Sequence, residues 1–486
     1  MEESWCPEYK NHMKILLTGA TGYIAQRLLP VLLGQGHEVT CCVRDRIRFN
    51  PEKFRSTALS VIEADFLKKE TLKIIPADID VAYYLIHSMS ASAGNFEKLE
   101  EISATNFRDI IQQTKVRQVI YLSGIVNDEK LSKHLKSRKN VENVLASGLY
   151  PLTTLRAGII IGSGSASFEI IRDLVEKLPV MVAPRWLNTS SQPIAIRNVI
   201  EFLSGVLLKK ETFSKSYDIG GPDILTYKQM LMRYARVRGL RRWIGIVPVM
   251  TPKLSSYWLY FITSTSYSLA QNLVDSMKVE VVCKENNLHD ILGITPVSYE
   301  DAIKEAFEKM EMNQVASTWK DALTSDTLRY GISRYAEVPV HGCFRDYRKI
   351  KTDDSERVLR NIWSIGGETG WYYGNWLWGI RGFIDKLFGG VGLRRGRKSQ
   401  NEISPGDALD FWRVLIADKT EKRLLLYAEM KLPGEAWLEF KIDSNNYLHQ
   451  TATFRPLGLW GRIYWYTVSP LHYFVFRGMI NRIAKT

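Results

Sequence analysis

The chain has 486 residues, 45% of them hydrophobic and 24% charged, with a formal net charge of +13. At roughly 150 residues per domain there is room for two or three domains, and two are expected; this apolar content supports full cores and excludes an intrinsically disordered chain. The five cysteines, Cys6, Cys41, Cys42, Cys283 and Cys343, show neither a CxxC pair nor Cys/His ligand spacing, so neither a disulfide framework nor a metal site is expected, and a reducing cytoplasm fits.

Residues 1–12 are polar and lack the apolar core of a secretion signal, so a short lead-in is expected. From Lys14 on, β-rich runs at 15–18, 38–43, 60–63, 81–85, 119–122 and 152–156 alternate with helix-length segments. Several runs are continuously apolar, as strands covered on both faces must be. The pattern predicts an α/β Rossmann fold, a doubly wound parallel sheet, in a domain over residues 13–312 whose substrate side starts near residue 163. That side takes in the segments 168–178, 192–196, 198–208 and 216–219. The apolar stretch 257–273 is interrupted by Thr263, Ser264, Thr265, Ser266 and Ser268; it falls short of the ~20 apolar residues of a spanning helix and is expected as a buried or lid helix.

A polar stretch at 310–323 marks the expected boundary to a second domain at 320–486. There, strands are expected at 334–338, 411–418, 423–430, 436–442 and 447–454, followed by a helix at 470–484 with an apolar stripe from Leu471 to Ile483. An α+β domain, an antiparallel sheet gripping a long C-terminal helix, would bury that stripe.

Residues 14–25 read KILLTGATGYIA, a strand, a turn and a helix start. Gly19 suits a tight turn, Gly22 lets the backbone approach a pyrophosphate at a helix N-terminus, and Ala25 allows close helix–strand packing. Thr18, Thr21, Tyr23 and Ile24 complete the expected cradle, and Leu85, Ile86 and His87 close it from the end of the fourth strand. At the end of the second strand an acidic residue would select NAD and an arginine NADP. Arg44 stands there, followed by Arg46 and Arg48, with Asp45 in competition, so NADP(H) is favoured over NAD(H); a solvated basic loop is the other reading. Asp65 either bonds the adenine amino group or caps a turn, next to Phe66.

These residues resemble the extended and atypical branches of the short-chain dehydrogenase/reductase superfamily. The resemblance covers about residues 14–310: TGATGYIA at 18–25, Asp65-Phe66, Asn106, YLSG at 121–124, LRAGIIIGSGSASFE at 155–169, QPIAIRNV at 192–199 and YDIGGPD at 217–223. It is similar in particular to a subgroup that fuses such a domain to a C-terminal domain of unknown function. The resemblance implies a serine after the fifth strand, matched by Ser123, and a Tyr-x-x-x-Lys pair on the next helix. His134-x-x-x-Arg138 stands in place of that pair. The spacing keeps both on one helix face. Arginine can hold a ribose, and histidine, with a reference pKa near ~6.5, can donate a proton. Either a reductase persists with His134 as its acid, or the chemistry is lost and the helix only closes over the cofactor. At the end of the sixth strand Arg156 is expected as structural, while Pro184, Arg185, Trp186 and Arg197 are candidates to line a pocket.

The C-terminal strand order resembles helix-grip domains of the lipid-transfer and polyketide-cyclase kind. Trp363, Trp371, Trp376, Trp378, Phe383 and Phe388 lie in a glycine-rich stretch, followed by Arg394, Arg395, Arg397 and Lys398. These aromatics can fill a core, line a pocket or lie on a lipid interface, so a peripheral membrane contact through 363–398 is one expectation. No groove-reading motif supports nucleic-acid binding. Asp407, Asp410, Arg413, Glu429 and Glu439 are cavity groups or ordinary surface residues. Two functions stand side by side: an NADP(H)-dependent oxidoreductase for a hydrophobic carbonyl or quinone-like compound, and a non-catalytic NADP(H)-responsive module whose C-terminal domain binds a hydrophobic ligand or partner.

Overall fold

The computed structural model describes residues 12–46, 49–54, 56–86, 96–126, 133–247, 274–311, 338, 343–392, 397 and 402–485. The chain divides into two compact units: the described residues up to 247 with 274–308, and those from 309 on.

In the first unit seven strands form one sheet: β1 (Lys14–Thr18), β2 (Glu38–Val43), β3 (Leu59–Glu63), β4 (Val81–Tyr84), β5 (Gln118–Gly124), β6 (Leu152–Ala157) and β7 (Lys215–Ile219). Their order is β7-β6-β5-β4-β1-β2-β3, parallel throughout. The continuous apolar runs have a direct cause, because alternate residues enter two different cores. Ile15, Leu17, Tyr83 and Ile120 pack with Leu28, Leu29 and Leu32 of α1 (Ala25–Gly34). Leu16, Ala82, Tyr84 and Tyr121 face Ala104 and Phe107 of α2 (Phe96–Ile111) and Val141 and Leu145 of α3 (Lys133–Ala146). The doubly wound parallel sheet is therefore as expected. Strand order reverses between β1 and β4, which opens a crevice at the carboxyl ends of the strands.

The expected segments 168–178 and 198–208 are helices α4 (Ala166–Lys177) and α5 (Ile196–Gly205); α6 (Tyr227–Val237) and α7 (Tyr299–Glu311) follow. A parallel pair of strands, Val180–Pro184 with Trp243–Val247, was not anticipated. The expected helix at 257–273 and most of the boundary at 310–323 lie outside the described residues.

The second unit holds β8 (Phe344–Lys351), α8 (Ser355–Trp363), α9 (Asn375–Leu387), β9 (Ala408–Leu409), β10 (Trp412–Asp418), β11 (Arg423–Ala428), β12 (Gly434–Ile442), β13 (Tyr447–Pro456) and α10 (Gly458–Lys485). The strands form an antiparallel sheet in the order β8-β13-β12-β11-β10-β9. Val414, Leu426, Leu438, Phe440 and Leu448 line one face, under Val358 and Ile362 of α8, Trp378 of α9, and Phe476, Met479 and Ile480 of α10. The antiparallel sheet with its terminal helix is as expected. Of the strand expected at 334–338, only Val338 is described, and β8 takes the edge position; its Arg, Asp and Lys residues suit an edge exposed to water. α10 starts twelve residues before the expected 470, with Pro470 inside it.

The cavity-or-surface alternatives need correction for Asp407, Asp410, Arg413 and Glu429, while Glu439 is a partly exposed strand residue. Arg413 and Glu429 are a fully buried ion pair, and Asp410 accepts a hydrogen bond from Trp371 Nε1 at 2.9 Å in the interior. Asp407 is buried and caps the loop by accepting from Ser404 N at 2.7 Å. Glu439 pairs with Arg423 at 2.7 Å across β11 and β12.

Candidate functional site

The crevice is built first from backbone. Gly19 sits just past β1 with φ +65°, and a Cβ there would lie 2.6 Å from the Leu85 carbonyl oxygen, so any side chain would push against the chain leaving β4. Thr18, fully buried, locks the same two strand ends: its hydroxyl donates to Tyr83 O at 2.8 Å and accepts from Leu85 N at 3.2 Å. Gly22 N donates to Gly19 O at 2.7 Å and closes the turn. α1 then starts with no side-chain cap at Ile24 and no acidic residue in its first turn, which leaves the positive end of the helix dipole open to an anion. Thr21 is half-buried on this turn and Gly22 exposed at its tip, while Ala25, 1% exposed, lets α1 press on the sheet. A diphosphate fits this cradle.

Tyr23 packs at the start of α1. Burial pushes its hydroxyl up to about 12, and Arg27 covers its ring at 3.9 Å while donating to Ser163 O at 2.7 Å. Ile24 packs on the core under α1, and Leu85 and Ile86 continue β4 onto opposite faces of the sheet. His87 lies outside the described residues.

At the end of β2, Arg44 is exposed and Asp45 is 5% exposed, so the guanidinium and not the carboxylate is presented to solvent. Arg46 N donates to Glu63 Oε2 at 3.2 Å, which ties this basic loop to the end of β3. Asp65 caps a turn: its Oδ1 accepts from Leu67 N at 3.1 Å. Asn106 in α2 holds that turn by donating to Phe66 O at 2.7 Å, and Phe66 is buried against Phe107.

Ser123, near the end of β5, is 5% exposed, and its Oγ has no hydrogen-bond partner among the described residues. A buried hydroxyl of this kind normally finds a partner, and where none is supplied by the fold a ligand or water is the usual one. α3 runs beside it: Leu135 is 3.4 Å from where a Gly124 Cβ would stand. His134 is in the first turn of α3; its side chain lies outside the described residues. Arg138, one turn on, donates to Leu122 O at 3.5 Å and to the Tyr121 hydroxyl at 3.4 Å. Burial works against its charge, but Tyr121 and the Glu100 carboxylate outweigh this and hold the guanidinium above its ordinary pKa.

Sequence reasoning missed the polar belt around Arg138. Glu100 is 4% exposed and accepts from Ser137 Oγ at 2.5 Å, and Tyr84, with Ser103 as its hydrogen-bond partner, faces the same guanidinium. The signal was present, since Glu100 falls on the helix face of Ala104, Phe107 and Ile111. Farther along, Arg156 is held by Glu142 at 3.0 and 2.5 Å and faces Asp218 at 3.7 Å. Arg197 is bound to Glu305 at 2.6 Å.

Residues 19–157 match the family described as NAD(P)H-binding. They form an NAD(P)-binding Rossmann domain. Residues 341–479 match a family described as protein of unknown function (DUF2867). Among curated proteins, the photosystem II assembly factor Ycf39 of Trieres chinensis is 21% identical over 281 residues, which is 57% of this chain and 83% of that protein. Among solved structures, a nucleoside-diphosphate-sugar epimerase from Staphylococcus aureus is 14% identical with a TM-score of 0.48, covering 61% of this chain and 99% of its own. An NADPH-dependent quinone oxidoreductase from Escherichia coli, complexed with NADPH, is 15% identical with a TM-score of 0.49, covering 60% of this chain and 99% of its own.

Proposed function

We propose that the chain is an NADP(H)-dependent oxidoreductase of the atypical short-chain type, acting in the cytoplasm on a hydrophobic carbonyl or quinone-like compound. The observation that carries this reading is the buried, unpartnered Ser123 Oγ at the carboxyl end of β5, two strands across the sheet from the one that feeds the glycine turn. When bound, the nicotinamide supplies a hydride to the substrate carbon. Ser123 donates a hydrogen bond to the substrate oxygen. His134, in the first turn of α3, delivers the proton, and Arg138, from its place beside the Leu122 carbonyl, holds the ribose. A positioned acid contributes about 100-fold or more to such a transfer. His134→Ala is therefore expected to lower kcat by about 100-fold in an NADPH-oxidation assay over a panel of apolar ketones and quinones, with NADPH affinity kept. Unchanged turnover in that variant would rule out the proton role.

NADP(H) is favoured because Arg44 is exposed where a 2′-phosphate would lie and Asp45 is turned inward. A charge-assisted contact to that phosphate is worth roughly 1.5–3 kcal/mol. Arg44→Ala should accordingly raise the Kd of NADPH by about tenfold or more and leave that of NADH unchanged; an equal effect on both dinucleotides overturns the preference.

One observation favours a second reading, a non-catalytic NADP(H)-responsive module: the Arg138 guanidinium is drawn to Tyr121 and Glu100. The similarity to a protein named as an assembly factor points the same way. Oxidation of bound NADPH in a single turnover by any member of the carbonyl panel counts against it.

A further inference from the structure

The helices of the second unit carry a second apolar surface, directed away from the sheet. On α9 the exposed residues Trp376, Ile380, Phe383, Ile384, Leu387 and Phe388 share one helix face. On α10, Trp460, Ile463, Tyr466, Leu471 and Phe474 are exposed while Phe476, Met479, Ile480 and Ile483 fill the core on the other side. Between Trp460 and Phe476, α10 thus has apolar residues on its exposed side as well as on its buried one, a combination that an ordinary amphipathic helix does not show. The two helices touch: Trp378 and Phe476 have ring centroids 6.3 Å apart, and a Cβ on Gly374 would stand 3.7 Å from Val475. Both pack on the same face of the sheet and meet at these two contacts. Trp376, Phe388, Trp460 and Phe474 are 68, 75, 76 and 63% exposed, and large apolar side chains left in water in such number mark a docking surface.

Its charge indicates what docks. Over 28 residues α10 has no Asp or Glu, and it has Arg462, Arg477, Arg482 and Lys485. The one acid of α9, Asp385, is turned inward, 1% exposed, accepting from Gly392 N at 2.8 Å and Lys431 N at 2.6 Å. Arg381 lies beside it at 3.9 Å. The surface is aromatic and basic with its carboxylate withdrawn. A second copy of the chain would set these arginines against one another, and like charges so placed cost several kcal/mol. An anionic surface matches them. No helix among the described residues is long and apolar enough to cross a membrane, so the helices would lie in the interface, where Trp and Tyr are at home.

We propose that the outward faces of α9 and α10 form a docking surface for the headgroup region of an anionic lipid bilayer. Of the expected stretch 363–398, α9 and the Phe388 that follows it contribute; Trp363 and Trp371 are core, Arg397 is turned inward, donating to Trp363 O at 2.7 Å and Ile365 O at 3.0 Å, and Arg394, Arg395 and Lys398 lie outside the described residues.

The test is co-sedimentation of the full chain with vesicles of phosphatidylcholine alone and of phosphatidylcholine with phosphatidylglycerol. Binding to the phosphatidylglycerol vesicles is expected, and weaker binding to phosphatidylcholine. The double variant Phe388→Asp/Trp460→Glu changes only exposed positions, so its circular dichroism and urea transition should match the parent while vesicle binding falls by about tenfold or more, given about 1.5–3 kcal/mol per large apolar side chain withdrawn from water. Three results overturn the proposal: a parent protein that stays in the supernatant, a double variant that binds as the parent does, or a stable dimer that the double substitution splits.

Discussion

Gly19→Ala is expected to weaken nicotinamide dinucleotide binding by about 100-fold or more, about 2.7 kcal/mol at 1.4 kcal/mol per decade. Two costs add. A side chain at φ +65° costs about 1–2 kcal/mol, and its Cβ would stand 2.6 Å from Leu85 O and 2.9 Å from Leu85 C, a distance that real contacts do not show. The chain leaving β4 must shift, and with it the Thr18 hydroxyl that joins the two strand ends. Titration calorimetry with NADPH and NADH reads the loss. A lower stability of the whole domain could mimic it, and two further variants separate these effects. Gly34→Ala, with nothing within 4 Å, should leave both affinity and melting unchanged. Gly22→Ala, whose Cβ would meet only Gly19 O at 3.0 Å, should lower affinity with little change in melting, because it obstructs the phosphate without moving a strand. If Gly19→Ala binds as the parent does, the cradle is not where the dinucleotide sits.

The turn was legible because backbone geometry there admits one residue type, and residue type is what a sequence records. The same holds for the sheet: strands covered on both faces have to be apolar throughout, and Ile15, Leu16 and Leu17 are. The site beyond the turn was harder to read. Glu100 sits among Glu97 and Glu101, a run that reads as a solvated face, although its place on the Ala104–Phe107–Ile111 stripe puts it inside. Its ties to Ser137 and Arg138 cross between two helices, and no local spacing encodes such a meeting. Asp65 illustrates the reverse: both an adenine contact and a turn cap were open, and the structure shows the cap. α6 announced itself with Thr226 and Gln229, a reciprocal capping box, a signal that was present and overlooked.

In the C-terminal unit the short apolar runs gave the central strands, which are buried on both faces, and the pattern failed at α10, where apolar residues stand on two sides, and at β8, where charges do. α10 hides its period because aromatics occupy its outward face as well. β8 hides its own because charges stand on both sides of an edge strand. The glycine-rich aromatic stretch divides by helix geometry: Trp363, Trp371 and Trp378 fill the core, and Trp376, Phe383 and Phe388 face outward.

The buried pair of that unit yields the second large effect. Arg413 Nε and Nη2 donate to Glu429 at 3.0–3.2 Å, and Nη1 donates to Gly406 O at 2.7 Å, on the sheet face lined by Leu415, Leu425, Tyr427 and Trp437. Both side chains are 0% exposed. Desolvating two ions cancels much of their attraction, so the pair adds little net stability, yet removing Glu429 takes its bidentate carboxylate from a buried guanidinium. Glu429→Ala should therefore destabilise the C-terminal unit by about 3–5 kcal/mol, a large share of the roughly 5–15 kcal/mol that holds a domain together. The double replacement Arg413→Met/Glu429→Leu should recover most of that loss, because it removes both charges and keeps the volume. Urea unfolding followed by tryptophan fluorescence reads the unit directly, since most of the chain's tryptophans lie in it. A Glu429→Ala transition within about 1 kcal/mol of the parent would mean that the Arg413 charge is satisfied without Glu429, and that the pair does not hold this face of the sheet.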